Sequence, residues 1–166
     1  MGRPQRYESD DVSLISIRPY QDPEVPAILE LWRAAGLTLP VQQPDRDIRA
    51  ARTRGRGEVF VAEYESRLIA TIMVGREEDR GWLYYLAVEP SVQRKGLGRA
   101  MVRHAEKWLR ARGCAKVMLM VRENNRRVRG FYERLGYQPE PRHIMSRSVV
   151  APAQAPQQQF AAGAKG

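Results

Sequence analysis

The sequence predicts an α/β fold, a mixed central β-sheet flanked by helices, on three features. Two apolar runs joined by a short polar turn, EVFVAEYESRLIATIMVG, read as a hairpin in the middle of the chain. The run WLYYLAV follows, apolar or aromatic at nearly every position, as expected of a strand covered on both faces. Beyond it the apolar period turns helical and then strand-like again, which is how crossover units read.

Taken in order, SLISIRPY sets Leu14 and Ser16 against Ile15 and Ile17, a short strand closed by Pro19. Asp22-Pro23 supplies an N-cap and a first-turn proline. Ile28, Leu31, Trp32 and Ala35 follow at helical spacing and Gly36 ends the helix. Asp45 to Arg54 predicts a second, strongly charged helix. The hairpin strands are expected at 58–64 and 68–75 around a Glu65-Ser66-Arg67 turn, and the fourth strand at 82–88, stopped by Pro90.

From Leu97 one apolar stripe runs through Met101, Ala105, Trp108 and Leu109, with Arg99, Arg103, Lys107 and Arg110 largely off it, up to Gly113. AKVMLMV predicts a fifth strand, NRRVRGFYERLG a short helix ending at Gly136, and HIMSRSVV a last strand. Residues 1–11 read as a flexible leader, 12–150 as one domain, and the Ala/Pro/Gln-rich residues 151–166 as a disordered tail.

The net charge of +9, with 28 Lys and Arg against 19 Asp and Glu, attracts anions in general and selects none. No helix-turn-helix, zinc-finger or RNP-like pattern accompanies it, and the basic residues are spread along the chain, so a nucleic-acid-binding module is the weaker alternative. One cysteine, Cys114, excludes an internal disulfide framework and suits a reducing cytoplasm. With only His104 and His143, no metal-ligand spacing is present. No apolar stretch is long enough to span a membrane, so the expected location is cytoplasmic.

The stretch VQRKGLGRAM joins the fourth strand to the long helix. A helix N-terminus offers unpaired N–H groups and a partial positive charge, and glycines admit a ligand close to the backbone. Arg94, Lys95 and Arg99 add cations, so a pyrophosphate is the natural guest. A plain strand-to-helix turn is the bland alternative. A Walker loop needs Gly-x4-Gly-Lys-Ser/Thr, which is absent. A Rossmann fingerprint needs Gly or Ala where Met101 stands, and it follows a first strand rather than a fourth.

Gln93-x-x-Gly96-x-Gly98 resembles the Gln/Arg-x-x-Gly-x-Gly/Ala motif of the GNAT superfamily of N-acetyltransferases, which holds the pyrophosphate of acetyl-CoA. YYLAVEPSVQRKGLGRAMVRHAEKWLRARG is similar to that family's fourth strand, loop and third helix, and VMLMVRENNRRVRGFYERLGY to its fifth strand and last helix. RGWLYYLAV, RGCAKVML and FYERLGY are closest to its small bacterial YpeA-like members.

The resemblance implies a GNAT fold whose fourth and fifth strands splay into an acetyl-CoA cleft. It implies that the backbone of Leu86, Ala87 and Val88 meets the pantetheine arm. The amides of Gln93, Arg94, Lys95, Gly96, Leu97, Gly98 and Arg99 would hold the pyrophosphate, and Asn125 and Tyr132 match the family's cofactor-contacting Asn and Tyr. Asn124 is the alternative, which the seven-residue spacing from Asn125 to Tyr132 disfavours. The implied reaction is direct acetyl transfer to an amine: a small molecule, an amino acid, or a peptide N-terminus or lysine. Val88 N–H is the expected oxyanion donor and Tyr132 the acid for the departing thiolate. Packing of the last helix under the sheet is the plainer reading of Tyr132.

The fourth strand carries no carboxylate where many relatives place a Glu. Tyr84 acting through water, or Glu77, Glu78 or Asp79 from the preceding turn, are the candidate bases, against plain packing for the tyrosine and a solvated turn for the acids. An acyl-CoA-binding regulatory domain without turnover is therefore the alternative function. The acceptor and the oligomeric state stay open, a homodimer being common in the family.

Overall fold

A computed structural model describes residues 15–37 and 44–147. The expected leader and tail lie outside the described residues. Five strands form one sheet in the order β1-β2-β3-β4-β5: β1 (Ser16–Pro19), β2 (Gly57–Tyr64), β3 (Arg67–Glu77), β4 (Arg80–Val88) and β5 (Lys116–Met118). The first four pair antiparallel and β5 runs parallel to β4, so the sheet is mixed. Helices α1 (Val25–Ala34) and α2 (Pro44–Arg52) cover one face, α3 (Leu97–Arg110) and α4 (Arg126–Glu133) the other.

Local chemistry sets the boundaries. The Asp22–Glu24 turn is 3-10, and the α-helix proper starts at Val25, slightly later than Asp22-Pro23 suggested. Glu65 and Ser66 both have positive φ, 48° and 60°, the twist that a two-residue hairpin turn requires. In α3 the predicted stripe is the buried one: Leu97, Met101, Ala105 and Leu109 are all but inaccessible and meet Phe60, Ile72, Val74 and Leu83 of the sheet. On the other face Ile28, Leu31 and Trp32 of α1 and Ile48 of α2 close over Val59, Val61 and Met73.

Two expected strands differ. The fifth was read over AKVMLMV, yet only Lys116–Met118 pair, because β4 offers an edge to β5 only at Arg80, Gly81 and Trp82. An apolar run extends as a ladder only where a neighbouring edge runs beside it. The last strand, HIMSRSVV, does not form over residues 143–147, where Ile144 and Met145 stand exposed. Its final three residues lie outside the described residues.

Candidate active site

β4 is where the sheet opens. Thr71 faces Ala87 and Met73 faces Tyr84, so Ile72 alone opposes both Tyr85 and Leu86. This is a β-bulge, an irregularity that bends a strand, and the β4–β5 ladder ends at Trp82, short of it. Tyr85 carries a φ of 49°, a strain of about 1–3 kcal/mol for a residue with a Cβ unless its surroundings hold it there.

Those surroundings are specific. The Tyr85 ring stacks on Trp32 with centroids 4.0 Å apart and planes 6° from parallel. Trp32, fully buried, donates from Nε1 to Thr71 Oγ1 at 2.8 Å, and the Thr71 hydroxyl donates to the Tyr85 carbonyl at 3.3 Å. The Tyr85 hydroxyl donates to Asp47 Oδ2 on α2 at 2.7 Å, and burial together with that carboxylate pushes its ionisation up.

Beyond the bulge, Ala87 pairs with Thr71 and Glu89 N–H donates to Ile69 O at 2.9 Å. Antiparallel alternation then turns the N–H and C=O of Val88, and of Leu86 two residues earlier, toward the opened edge. Gln93 Nε2 donates to the Val88 carbonyl at 3.0 Å, while Arg127 donates to Gln93 Oε1 at 2.7 Å. The glutamine thus ties the end of β4 to the start of the loop and, through Arg127, to α4.

The loop itself is left-handed at Arg94 (φ 66°) and at Gly96 (φ 85°), the N-cap of α3. Ala100 is bonded back to Gly96 O at 3.0 Å, and the N–H groups of the three helix residues before it point out of the helix end. A Cβ on Gly98 would stand 3.4 Å from Phe131 Cζ and 3.8 Å from Val88 Cγ2, so here α3 approaches β4 and α4 closely. Arg94 and Arg99 are exposed beside the loop.

Asn125 is the N-cap of α4, its side chain accepting from Val128 N–H at 3.1 Å. Tyr132 is buried on the inner face of the same helix, edge-on to Phe131 and Tyr137. Among the described residues its hydroxyl has no hydrogen-bond partner, and burial raises its pKa to about 12, so it stays protonated at neutral pH. Tyr137, from which Tyr132 takes its edge contact, is fixed by donating to Glu106 Oε1 at 2.7 Å. Tyr132 also borders a cleft of about 1050 Å³ along β5, between Met118–Val121 and residues 137–144. Gln93 to Arg99 do not border it.

The candidate bases lie apart. Tyr84 leans over Gly75, where a Cβ would meet its Cε2 at 3.2 Å, and stacks beside Trp82 toward the β3–β4 hairpin. Burial, then the charge of Glu77, raises its ionisation. Glu78 and Asp79 sit in that hairpin, roughly 20 Å from the bulge at strand rise. His104 packs edge-on against Phe60, and Cys114 is a buried thiol whose ionisation burial raises.

Sequence reasoning missed the Trp32–Thr71–Tyr85–Asp47 chain, whose members are far apart in sequence. No local pattern marks it, since WLYYLAV is apolar or aromatic at nearly every position and only the bulge brings Tyr84 and Tyr85 to the same face as Met73.

Among the described residues no group of three or more His, Cys, Asp or Glu could hold a metal, and no helix is long and apolar enough to cross a membrane.

Comparison with known proteins agrees with this geometry. Residues 25–137 match the family model of the acetyltransferase (GNAT) family. An acetyltransferase of Pectobacterium atrosepticum is 36% identical over 124 residues, covering 75% of this chain and 88% of that one. The ribosomal-protein-S18-alanine N-acetyltransferase of Escherichia coli superposes with a TM-score of 0.64 at 26% identity, covering 74% of this chain and 76% of that one. The PaiA N-acetyltransferase of Thermoplasma acidophilum, solved with coenzyme A, shares the fold with a TM-score of 0.68 at 19% identity, covering 78% and 92%. The glycine loop at the head of α3, the bulged and splayed fourth strand, and these likenesses lead to one assignment: the chain belongs to the GNAT acetyltransferase family.

Proposed function

We propose that the protein is an N-acetyltransferase that moves the acetyl group of acetyl-CoA directly to a primary amine within a ternary complex. The observation that carries this reading is the Gln93–Arg99 loop, whose helix-end N–H groups lie beside a β4 edge freed by the bulge. The loop amides hold the pyrophosphate, with Arg94, Lys95 and Arg99 as surrounding cations. Leu86 and Val88, whose polar groups face the opened edge, meet the pantetheine arm, while Ala87 is occupied by Thr71. Asn125 keeps its side-chain oxygen for the helix cap, leaving its amide nitrogen for the cofactor.

The acceptor must lose a proton before it attacks, since an alkyl ammonium has a reference pKa of about 10.4 and no free lone pair. The neutral nitrogen then adds to the thioester carbonyl carbon and the carbonyl electrons move onto oxygen, where Val88 N–H donates. The C–S bond breaks as the carbonyl reforms. The sulfur leaves as thiolate and takes a proton from Tyr132, which burial keeps protonated and whose hydroxyl has no hydrogen-bond partner among the described residues. The proton shed by the nitrogen passes to water, with Tyr84 as the nearest side-chain relay candidate on β4. Proteins of the same fold support the chemistry: the PaiA N-acetyltransferase was solved with coenzyme A, and AAC(6')-Iy with the bisubstrate analogue CoA-S-monomethyl-acetylneamine.

Acetyl-CoA-dependent thiol release across a panel of small amines, amino acids and peptides tests the reading, preceded by titration with acetyl-CoA. Binding followed by release on at least one amine is expected. Binding without release on any amine would favour a regulatory acyl-CoA-binding domain. Absence of binding would rule out both.

A further inference from the structure

The α1–α2 side of the sheet holds a carboxylate, Asp47, that is tied to the bulge of β4 and that the acetyl-transfer chemistry leaves unused. Arg18 takes Glu24 and Glu63, and Arg52 takes Glu58 and, at 3.9 Å, Asp22, while Glu30 and Asp45 lie exposed on the two helices with no tie to the sheet among the described residues. Asp47 is bonded instead to a neutral phenol, and among the described residues no Lys or Arg stands within ion-pair distance of it. It is exposed, so its remaining lone pairs open to solvent. It is also indexed to the reaction centre. The Tyr85 hydroxyl fixes it, the Tyr85 ring is clamped on Trp32, and the Tyr85 carbonyl is held by Thr71 at the bulge that opens β4.

We infer that Asp47 is a specificity residue for the acceptor, anchoring a second cationic group carried by the molecule whose free amine is acetylated. The inference rests on the acetyltransferase reading above. The full length of the Tyr85 side chain separates Asp47 from the bulge backbone, so the cation at Asp47 is not the reacting nitrogen, which must reach the opened edge of β4. The acceptor class that fits both points is a diamine, or a peptide whose reacting amine lies a few bonds from another cation. In a chain of net charge +9, a carboxylate held beside the bulge favours the approach of such an acceptor.

The test compares kcat/KM per amino group for acetyl-CoA-dependent thiol release with hexamethylenediamine, whose two equivalent amines double the raw value, and with hexylamine, which lacks the second ammonium. Wild type is expected to prefer the diamine by about threefold to fivefold, the scale of one exposed ion pair. Asp47→Asn brings that ratio close to one, through the KM for the diamine. Tyr85→Phe, which leaves the carboxylate but releases it from the bulge, reduces the preference part of the way. A purely structural carboxylate would lower both amines together and leave the ratio unmoved. An unmoved ratio in Asp47→Asn, no preference in wild type, or no turnover of either amine overturns the inference. Calorimetric titration of the same proteins with acetyl-CoA separates the two levels. Normal cofactor binding with an unmoved ratio defeats the anchor alone, whereas failure to bind acetyl-CoA defeats the acetyltransferase reading.

Discussion

The two faces of the sheet are equipped with different parts of the chain. On the α3–α4 face the loop after β4 offers backbone: left-handed Gly96, closely packed Gly98 and the N–H groups of a helix end. On the α1–α2 face the equipment is side chains, with Trp32, Thr71, Tyr85 and Asp47 bonded in sequence around the bulge. The contrast fits the proposed division of labour. An invariant cofactor is met by peptide groups that every chain possesses, and a variable acceptor by side chains that differ from protein to protein.

The largest way to break this contrast is on the side-chain face. Trp32→Ala removes a fully buried ring that packs the α1 face and clamps Tyr85, and should cost about 3–5 kcal/mol in urea unfolding. If Trp32 mattered only as bulk, Trp32→Phe would restore the loss. Instead that variant should remain about 1–3 kcal/mol below wild type, since Thr71 keeps a buried hydroxyl without its indole partner.

Next comes the acid. Tyr132→Phe should lower turnover about a hundredfold, the lower range for a lost general acid, with acetyl-CoA affinity within about twofold of wild type. The pH profile sharpens this. A phenol whose pKa is raised keeps its proton below that value and loses it above, so Tyr132 supplies no falling limb until pH approaches about 12. Turnover in wild type should therefore only rise through the neutral and mildly alkaline range, as the acceptor amine sheds its proton. A fall with a midpoint near 8 or 9 would exclude Tyr132 as the donor.

The smallest effect is expected from the exposed cations of the backbone face. Reversing Arg94 and Arg99 together to Glu should weaken acetyl-CoA about fivefold to tenfold at low salt, with most of the difference gone near 1 M salt. An equal loss at all salt concentrations would mean that the substitutions had deformed the loop.

The same contrast explains what could be read from sequence. A backbone-held ligand leaves glycines behind, and Gln93, Gly96 and Gly98 in front of an apolar helical stripe stood out for that reason. The helices and the first four strands were legible because period and burial coincide in them: Leu97, Met101, Ala105 and Leu109 are both the stripe and the core. The opening of the sheet at the fourth strand was legible only through family resemblance, since nothing in WLYYLAV marks a tyrosine at φ 49°. Asp47 reaches Tyr85 across 38 residues, a pairing that no local pattern encodes. The fifth strand was overextended, and the last one does not form over residues 143–147, for a related reason. Apolar residues such as Leu119 and Ile144 report a preference for a sheet, while forming one depends on an edge that another element must supply.

The direct test of the central claim is calorimetric titration of the wild-type protein and of Gly98→Glu with acetyl-CoA. The new Cβ would meet Phe131 and Val88 at ordinary contact distance, so the helix end can be retained while a carboxylate is set where the pyrophosphate should lie. One acetyl-CoA bound per wild-type chain, and none measurable in a Gly98→Glu protein that retains a cooperative thermal transition, is the predicted result. Equal affinity in the two proteins would contradict the placement of the cofactor at this loop.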